Sequence, residues 1–422
     1  MTAAGAASGK VWVIGGGLAG LSTAVGLAAK GVRVELIEGA AQLGGRCRSY
    51  VDPVLEMTID NGNHLILSGN RETFAYLRRI GSEDRLKGPR KARFDFFDLD
   101  ALRGWTLRPN AGPLAWWVLS DRRRVPGTRL GDYLKLIDLL RAPPKARIDQ
   151  VIECRGVLWE RLLEPFLLAA LNTHPPRASA ALAGAVIRET LARGGRAYRP
   201  RIAEPSLSAA FIDPALTFLA QHGAKVRLGR RVRAMTFEGG RVSRLTLPEE
   251  EVAVGAGDAV VLATPPWVSQ ELAPGLTAPD QFTAIVNAHF KVATPGRRAP
   301  RVGLIGGSAE WVFTFPDRIS ITVSAADNLV DRDREDLARL FWRDVCAVSG
   351  REGAPPPWQI VKERRATFAA TPEQNAKRPK AQTAWANLVL AGDWTDTGLP
   401  ATIEGAMRSG ATAARLAGAL VR

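Results

Sequence analysis

The stretch that decides the fold is Lys10-Val-Trp-Val-Ile-Gly-Gly-Gly-Leu-Ala-Gly20, near the start of the chain. Its first five residues are apolar and rich in β-branched side chains, which indicates a buried strand. The spacing Gly15-x-Gly17-x-x-Gly20 follows directly, and an apolar helix of small residues then extends to about residue 30. This stretch predicts a strand, a tight glycine turn and a helix.

A second strand and an acid complete this unit. Gly31 ends the helix, and residues 32–38 read Val-Arg-Val-Glu-Leu-Ile-Glu. In such a βαβ unit the glycines permit a tight turn and the close approach of a pyrophosphate, which the helix N-terminus attracts. An acid at the end of the second strand accepts hydrogen bonds from ribose hydroxyls. We expect a dinucleotide to be bound by Gly15, Gly17, Leu18, Ala19, Gly20 and Glu38.

Three further turns extend this binding site. Leu43-Gly-Gly-Arg46 offers flexible backbone N–H groups and a guanidinium, which suit an extended pyrophosphate. Residues 59–64 (Ile-Asp-Asn-Gly-Asn-His) form a second polar turn, and residues 390–394 (Leu-Ala-Gly-Asp-Trp) place an acid at a strand end far along the chain. NAD and FAD share the first half-site, but glycine turns at both ends of the chain imply one long ligand held by a discontinuous domain.

In the order of these motifs along the chain, the sequence resembles the flavin-containing amine oxidase and phytoene desaturase superfamily. Within it the sequence is most similar to the squalene-associated FAD-dependent group, the hydroxysqualene dehydroxylases of hopanoid biosynthesis. The segments that carry this similarity are residues 59–64, Asn172-Thr-His-Pro-Pro176, Leu262-Ala-Thr-Pro-Pro-Trp267 and residues 392–404. The resemblance implies an α/β fold with a discontinuous Rossmann-like FAD-binding domain of the glutathione-reductase type, a mixed α+β substrate-binding domain and a helical, membrane-facing cap.

The 422-residue chain has room for two or three domains. Its β-rich segments at both ends enclose a mostly helical, Arg-rich stretch interrupted by prolines. We expect residues 1–70, 206–265 and 385–422 to form the FAD-binding domain. Residues 71–205 and 266–384 are expected to form the substrate and cap domain.

The resemblance implies non-covalent FAD and gives further residues a part in holding it. Glu38 would bind the adenosine ribose, Val232 the adenine through its backbone, and Asp393 the region between ribityl chain and pyrophosphate. The remaining cofactor residues implied are Gly44, Gly45 and Arg46 at the phosphates, Gly62 near the isoalloxazine, Thr402 and Ile403 at its pyrimidine end, and Asn61, Thr264 and Gly392 beside them. None of Cys47, Cys154 and Cys346 lies in the C-terminal flavin loop, so no thioether to the flavin is expected.

The implied reaction replaces the hydroxyl of hydroxysqualene by hydride from reduced FAD, giving squalene. It needs a proton donor, a dry apolar tunnel and a flavin face. His64 is the first candidate donor, directly or through a water, although it could simply bond the turn. The other two candidate proton donors are Asp60, which could instead hold that turn, and Asp396. A polyene desaturase, an amine oxidase and a prenyl-lipid carrier that has lost its flavin remain open alternatives.

The positive charge of the chain, +15, is concentrated in residues 85–155, where sixteen Lys or Arg face eight Asp or Glu. The pair Trp116-Trp117 followed by Arg122-Arg-Arg124 is typical of an interfacial anchor on anionic lipid. A long hydrocarbon substrate must be loaded from a bilayer or from another enzyme of squalene synthesis. We therefore expect membrane contact here, although a buried Trp pair beside a solvated Arg loop would have the same sequence.

Other classes of partner are disfavoured. No helix-turn-helix, RNP, zinc-finger or heptad signature accompanies the charge, which argues against nucleic acid. The three cysteines and four histidines are scattered, which argues against a metal site and a disulfide framework and fits a reducing cytoplasm. We expect a cytoplasmic protein peripheral to the inner face of the cytoplasmic membrane, served by a flavin reductant that the sequence does not identify.

Overall fold

The structure, a computed structural model, describes residues 9–294 and 301–421. Its strands are β1 (Lys10–Ile14), β2 (Arg33–Ile37), β3 (Ser49–Asp52), β4 (Met57–Asp60), β5 (Ile66–Leu67), β6 (Leu86–Lys87), β7 (Phe94–Asp98), β8 (Arg103–Leu107), β9 (Pro200–Ala203), β10 (Lys225–Arg227), β11 (Ala234–Glu238), β12 (Arg241–Thr246), β13 (Glu251–Ala253), β14 (Ala259–Leu262), β15 (Phe282–Lys291), β16 (Arg301–Ile305), β17 (Trp311–Thr314), β18 (Arg318–Val323), β19 (Trp358–Phe368) and β20 (Leu388–Leu390).

The α-helices are α1 (Leu18–Ala28), α2 (Arg71–Arg79), α3 (Lys135–Leu140), α4 (Glu164–Leu171), α5 (Ala180–Glu189), α6 (Leu207–Phe211), α7 (Asp213–Gln221), α8 (Pro266–Leu272), α9 (Arg334–Ser349), α10 (Pro372–Ala376) and α11 (Ile403–Leu420). Short 3₁₀ turns span Glu83–Arg85, Trp116–Leu119, Leu130–Leu134, Ile148–Gln150, Pro175–Arg177, Leu191–Arg193 and Ala326–Asn328, and a π turn spans Trp159–Leu163.

A five-stranded parallel sheet forms the first layer, in the order β10-β2-β1-β14-β20. The apolar runs of β1 and β14 are buried on both faces, as parallel strands between helices require. Three distant parts of the chain supply these strands. The Rossmann-like α/β prediction is confirmed by this sheet and by the turn between β1 and α1.

Helix α11 packs closely on α1 because both helices carry small residues at their contact. A Cβ added at Gly410 would lie 2.5 Å from the carbonyl oxygen of Ala19. Ser22 Oγ donates to the carbonyl of Met407 over 3.2 Å. The start of α11 is thereby tied to the first βαβ unit.

A seven-stranded mixed sheet forms the second half, in the order β19-β15-β18-β17-β16-β7-β8, with only the β16–β7 pair parallel. On one face Val286 and Phe290 of β15 pack under α9, where the Phe290 and Trp342 rings are 5.0 Å apart. The other face carries polar residues on β15, such as Asn287, and aromatic residues on β7 and β17. This second face is turned toward the parallel-sheet half, because Asn287 Nδ2 donates to the carbonyl of Asn61.

Helices α3 to α5 and the short turns around them cover the aromatic part of the second face. Their buried side chains, such as Trp159 and Leu163, belong to the same hydrophobic cluster as Phe96, Trp311 and Phe313 of the sheet. This layer corresponds to the helical stretch expected between the β-rich segments. No helix within residues 9–294 and 301–421 is long and apolar enough to cross a membrane.

Candidate functional site

The first glycine turn has the three properties that its spacing predicts. Gly15 has φ +105°, and an added Cβ would lie 2.5 Å from the carbonyl oxygen of Ala263. A Cβ added at Gly20 would lie 1.9 Å from the carbonyl oxygen of Gly15. At Gly17, in contrast, a Cβ would meet no atom of the described residues within 4 Å. Gly15 and Gly20 are therefore required by packing, whereas Gly17 leaves space open at the helix N-terminus.

The turn Gly44-Gly45 lies directly beside the first one. The Gly44 N–H donates to the carbonyl of Gly16 over 2.8 Å, and a Cβ at Gly45 would lie 3.4 Å from Gly17 Cα. Gly44 and Gly45 both have positive φ, +104° and +57°, which side chains rarely tolerate. The two turns together line one open groove at the start of α1 with backbone.

Glu38 anchors the far side of this groove. Its Oε2 accepts from the Gly16 N–H and its Oε1 from the Ala40 N–H, both over 2.7 Å. The loop after β10 lies alongside, since the Arg230 N–H donates to the carbonyl of Glu38 over 2.9 Å. Val232, two residues further on, is buried. The structure thus brings the residues expected at the adenosine end next to each other.

Arg46 and Asp393, which are far apart in sequence, form a forked ion pair with N–O distances of 2.7 and 2.8 Å. Burial opposes the charge on Arg46, but the Coulombic attraction and hydrogen bonds of Asp393 more than offset it, so the pKa of Arg46 lies above its usual value. Asn61 Nδ2 donates to the carbonyl of Arg46 over 3.4 Å. Three expected cofactor residues therefore meet at one point.

The C-terminal turn closes on the parallel sheet. Trp394 Nε1 donates to the carbonyl of Thr264 over 3.0 Å. A Cβ at Gly392 would lie 2.3 Å from the same indole nitrogen, so only glycine fits there. Thr402 caps α11 by accepting from the Gly405 N–H over 3.0 Å, which places Ile403 in the first turn of that helix.

Arg378 is a residue of this site that sequence reasoning missed. It is buried, and its guanidinium donates to the carbonyls of Thr395 and Asp393 and to Thr397 Oγ1. Burial lowers the pKa of Arg378 to about 10, against the attraction of Asp396 and Asp393, so it stays charged at neutral pH. In an Arg-rich chain nothing in the sequence distinguishes this arginine from its solvated neighbours.

The turn at residues 60–64 is held from both halves of the molecule. Asp60 Oδ1 accepts from Ser49 Oγ over 2.6 Å and from the Leu207 N–H over 2.9 Å. Burial raises the pKa of Asp60, while these hydrogen bonds lower it. The geometry gives Asp60 the turn-holding contacts that the sequence offered as its alternative role.

Asn287 covers this turn from β15. A Cβ at Gly62 would lie 3.1 Å from Asn287 Nδ2, and Asn287 Oδ1 accepts from Thr322 Oγ1 over 2.8 Å. Asn63 Nδ2 donates in turn to Thr322 Oγ1 over 3.2 Å. Asn287 was not singled out from the sequence, although a polar residue inside the apolar run of β15 was a usable signal.

The two other candidate proton donors differ in their surroundings. Burial, and to a smaller extent the charge of Arg46, lowers the pKa of His64 to about 4. The imidazole is therefore neutral at neutral pH, which disfavours direct donation from a protonated ring. Asp396 is exposed on the C-terminal turn, where its carboxylate acts on Arg378.

These residues fit an extended anionic dinucleotide. The open side of Gly17 and the N–H groups at the start of α1 suit a pyrophosphate, and the Glu38 carboxylate suits ribose hydroxyls. Beside Arg46 and Asp393 a narrow cavity is walled by aromatic rings. A wider cavity of about 400 Å³ adjoins it and shares three of its residues, Trp267, Phe282 and Arg365.

The expected membrane anchor is corrected in part. Trp116 is 62% exposed, but Trp117 is only 3% exposed, with its ring 5.4 Å from that of Tyr133. Trp117 was expected at the membrane, but it packs inward against Tyr133 and offers no outward surface, whereas Trp116 does. Arg122 and Arg123 are exposed, whereas Arg124 is half-buried and paired with Asp121.

Comparison with known proteins shows the family of the chain. The model of the family described as flavin containing amine oxidoreductase matches residues 18–417. The chain is 52% identical over 407 residues to a hydroxysqualene dehydroxylase of Rhodopseudomonas palustris, covering 96% of this chain and 97% of the relative. It is 50% identical to a hydroxysqualene dehydroxylase of Sinorhizobium fredii, covering 97% of this chain and 98% of the relative.

A solved oxidoreductase from Methanosarcina mazei superposes with a TM-score of 0.71 at 15% identity, over 96% of this chain and 99% of that one, which shows a shared fold. The chain therefore belongs to the flavin-containing amine oxidoreductase family, and within that family it groups with the hydroxysqualene dehydroxylases.

Proposed function

We propose that this chain is an FAD-dependent oxidoreductase of squalene and hopanoid biosynthesis that reductively removes the hydroxyl group of hydroxysqualene to give squalene. One observation carries the proposal: over nearly its full length, the chain is 52% and 50% identical in sequence to two hydroxysqualene dehydroxylases. The residues of the dinucleotide groove are intact. A redox enzyme requires this groove, whereas a lipid carrier that has lost its flavin would not.

The cofactor would be held from the first βαβ unit to the start of α11. Gly17 and the first turn of α1 would receive the pyrophosphate, and Glu38 the adenosine ribose. Arg46, kept charged and oriented by Asp393, supplies the fixed cation of the groove. Reduced FAD, when bound, supplies the hydride that replaces the leaving hydroxyl.

The chain itself must bind a hydrocarbon, keep water away and handle one proton. Trp267, Phe282 and Phe368 give the cavity beside Arg46 and Asp393 an apolar wall that suits prenyl chains. His64, neutral at neutral pH, is proposed to pass a proton through its ring nitrogens and a water rather than to store one. Asp60 is proposed to hold the turn that carries His64.

Anaerobic incubation of the photoreduced protein with hydroxysqualene and, separately, with squalene tests this function. We expect hydroxysqualene alone to reoxidise the flavin and to yield squalene by mass. Desaturation of a polyene by the oxidised protein, with an electron acceptor, would indicate a desaturase instead. A colourless protein without turnover would point to the carrier.

We further propose that the cap docks on the cytoplasmic face of an anionic membrane, from which the substrate enters. Six apolar side chains between 43% and 63% exposed form what we call the apolar patch: Leu114, Trp116, Leu119, Leu130, Leu134 and Ile137. The Trp117–Tyr133 ring contact joins the two segments that carry them. Leu130, Leu134 and Ile137 are exposed along the 3₁₀ turn and α3, which follow one another directly.

Charge complementarity selects lipid as the occupant of the apolar patch. Arg122, Arg123 and Arg129 are exposed between its two segments, and Arg141 and Lys145 follow its second one. Exposed apolar side chains flanked by cations suit the headgroup region of an anionic bilayer.

Co-sedimentation with anionic and zwitterionic vesicles tests this docking. The wild type is expected to bind anionic vesicles, and Trp116→Ser combined with Leu134→Ser to lose most of that binding. Val51→Ser, which removes an equally exposed apolar side chain of β3, is the matched control and should bind like the wild type. Equal binding by the double variant, or none by the wild type, would contradict the proposal.

A further inference from the structure

Glu363 of β19 lies on the face of the seven-stranded sheet that covers the cofactor groove. Side chains alternate along a strand, so residues 359, 361 and 363 share one face. Gln359 Nε2 donates to Asp52 Oδ2 over 2.7 Å, which turns this face toward the parallel-sheet half. Lys362, between them, reaches the carbonyl of Arg332 on the α9 side. Glu363 therefore points toward the groove.

The register of the sheet brings Glu363 close to the turn at Gly62. Glu363 is the direct cross-strand partner of Ile285 on β15. Asn287, on the same face, is two residues further along β15, a step of about 7 Å. Asn287 contacts Asn61 and lies next to the position that a side chain at residue 62 would occupy. Glu363 is therefore separated from the turn at residues 60–64 by one step along this face of the sheet.

The carboxylate of Glu363 is not engaged in a structural contact. Its charge stabilises the Arg46 guanidinium at longer range, but the two oxygens that fork onto Arg46 belong to Asp393. Within the part of the chain that the structure describes, Glu363 accepts no hydrogen bond and forms no ion pair, although it is half-buried. The acceptor positions of this carboxylate are therefore available to a ligand.

We infer that Glu363 is a catalytic residue whose carboxylate faces the reacting carbon and stabilises the positive charge that develops there. This rests on the proposed function. The C–O bond breaks with both electrons going to oxygen, which takes up a proton and leaves as water. The carbon, left positive, receives the hydride pair from reduced FAD, which is thereby oxidised. A fixed negative charge lowers the energy of the state between these two events.

Glu363→Gln is the decisive variant, because it keeps the shape of the side chain and removes its charge. We expect kcat for hydroxysqualene to fall by about 100-fold or more, with flavin absorbance and KM nearly unchanged. Glu363→Asp should recover part of kcat. Glu335→Gln, an exposed carboxylate on α9 across the sheet, is the matched control and should behave as wild type. Glu363→Gln with bound flavin and wild-type kcat would overturn the inference.

Binding of difarnesylamine tests the same charge without turnover, because its protonated nitrogen stands in for the cationic carbon between two prenyl chains. We expect Glu363→Gln to bind it tenfold or more weakly, with squalene affinity unchanged. Equal amine affinity in the two proteins would overturn the inference. An inactive wild type that still discriminates in this way would contradict the proposed dehydroxylation and support the counter-charge.

Discussion

Gly17 and Gly20 belong to the same motif but have different roles, one in cofactor binding and one in packing. Gly17→Ala adds a methyl group into the open groove where a pyrophosphate would lie, since no described atom is within 4 Å. We expect FAD affinity to fall tenfold or more, while the unfolding free energy of the apoprotein changes by less than about 1 kcal/mol. Titration followed by flavin fluorescence, together with urea unfolding, measures both.

Gly20→Ala serves as the contrasting variant, because its methyl group would lie 1.9 Å from the carbonyl oxygen of Gly15. It should destabilise the apoprotein itself. If Gly17→Ala bound FAD like the wild type, the pyrophosphate would have to lie elsewhere.

His289 makes stability depend on pH. It is fully buried on β15 with Nδ1 2.8 Å from Ser320 Oγ, and burial, followed by the charge of Arg318, lowers its pKa to about 3 against weaker opposing effects of Asp60 and Asp52. The unfolded chain binds this proton below about pH 6.5, so stability is full above that pH and is lost as pH falls toward 3. Between pH 7 and 5.5 the loss is about 1 kcal/mol.

Urea unfolding of wild type and His289→Gln over this range checks the prediction. The stability advantage of the wild type should shrink by about 1 kcal/mol on acidification. Burial raises the pKa of Glu310 to about 7, which acts in the opposite direction, but Glu310 is present in both proteins and cancels in the difference. Parallel pH curves would contradict the prediction.

At the scale of elements, the contact between α1 and α11 controls the C-terminal end of the site. Gly410→Ala would bring a methyl group 2.5 Å from the Ala19 carbonyl oxygen and 2.6 Å from Ser22 Cβ, so the helices must separate. We expect a destabilisation of about 1–3 kcal/mol. Because Ser409 Oγ accepts from the Gly392 N–H over 2.9 Å, FAD affinity should fall as well.

Thermal unfolding and flavin titration measure these two effects. Ala419→Ser, on the exposed side of α11, is the control and should change neither. Unaltered stability in Gly410→Ala would mean that the two helices have room to move.

The elements nearest the glycine turn were predictable because each depends on local sequence. The strand predicted at residues 10–14 and the helix predicted to extend to about residue 30 were found as β1 and α1, with small differences at the helix end. Glu363 could not be foreseen, because its position depends on how β19 pairs with β15. Trp117 was misplaced for a related reason, since adjacent tryptophans do not reveal which one packs inward.

At the scale of the whole molecule, the charge of +15 serves more than one purpose. Arg46 and Arg378 work inside the cofactor half, one in the groove and one behind its C-terminal turn. The exposed arginines next to the apolar patch face outward. The two groups of arginines therefore lie in different parts of the molecule.

The strand order of the parallel sheet also has a consequence for biosynthesis. β14 pairs with β1 on one side and with β20 on the other. Five of the seven strands of the mixed sheet, β15 to β19, are translated between β14 and β20. While the ribosome makes that stretch, β14 presents an unpaired strand edge, a feature that invites association with other chains. Asp393 and the start of α11 follow β20 in the chain, so we expect the cofactor groove to be completed late in synthesis.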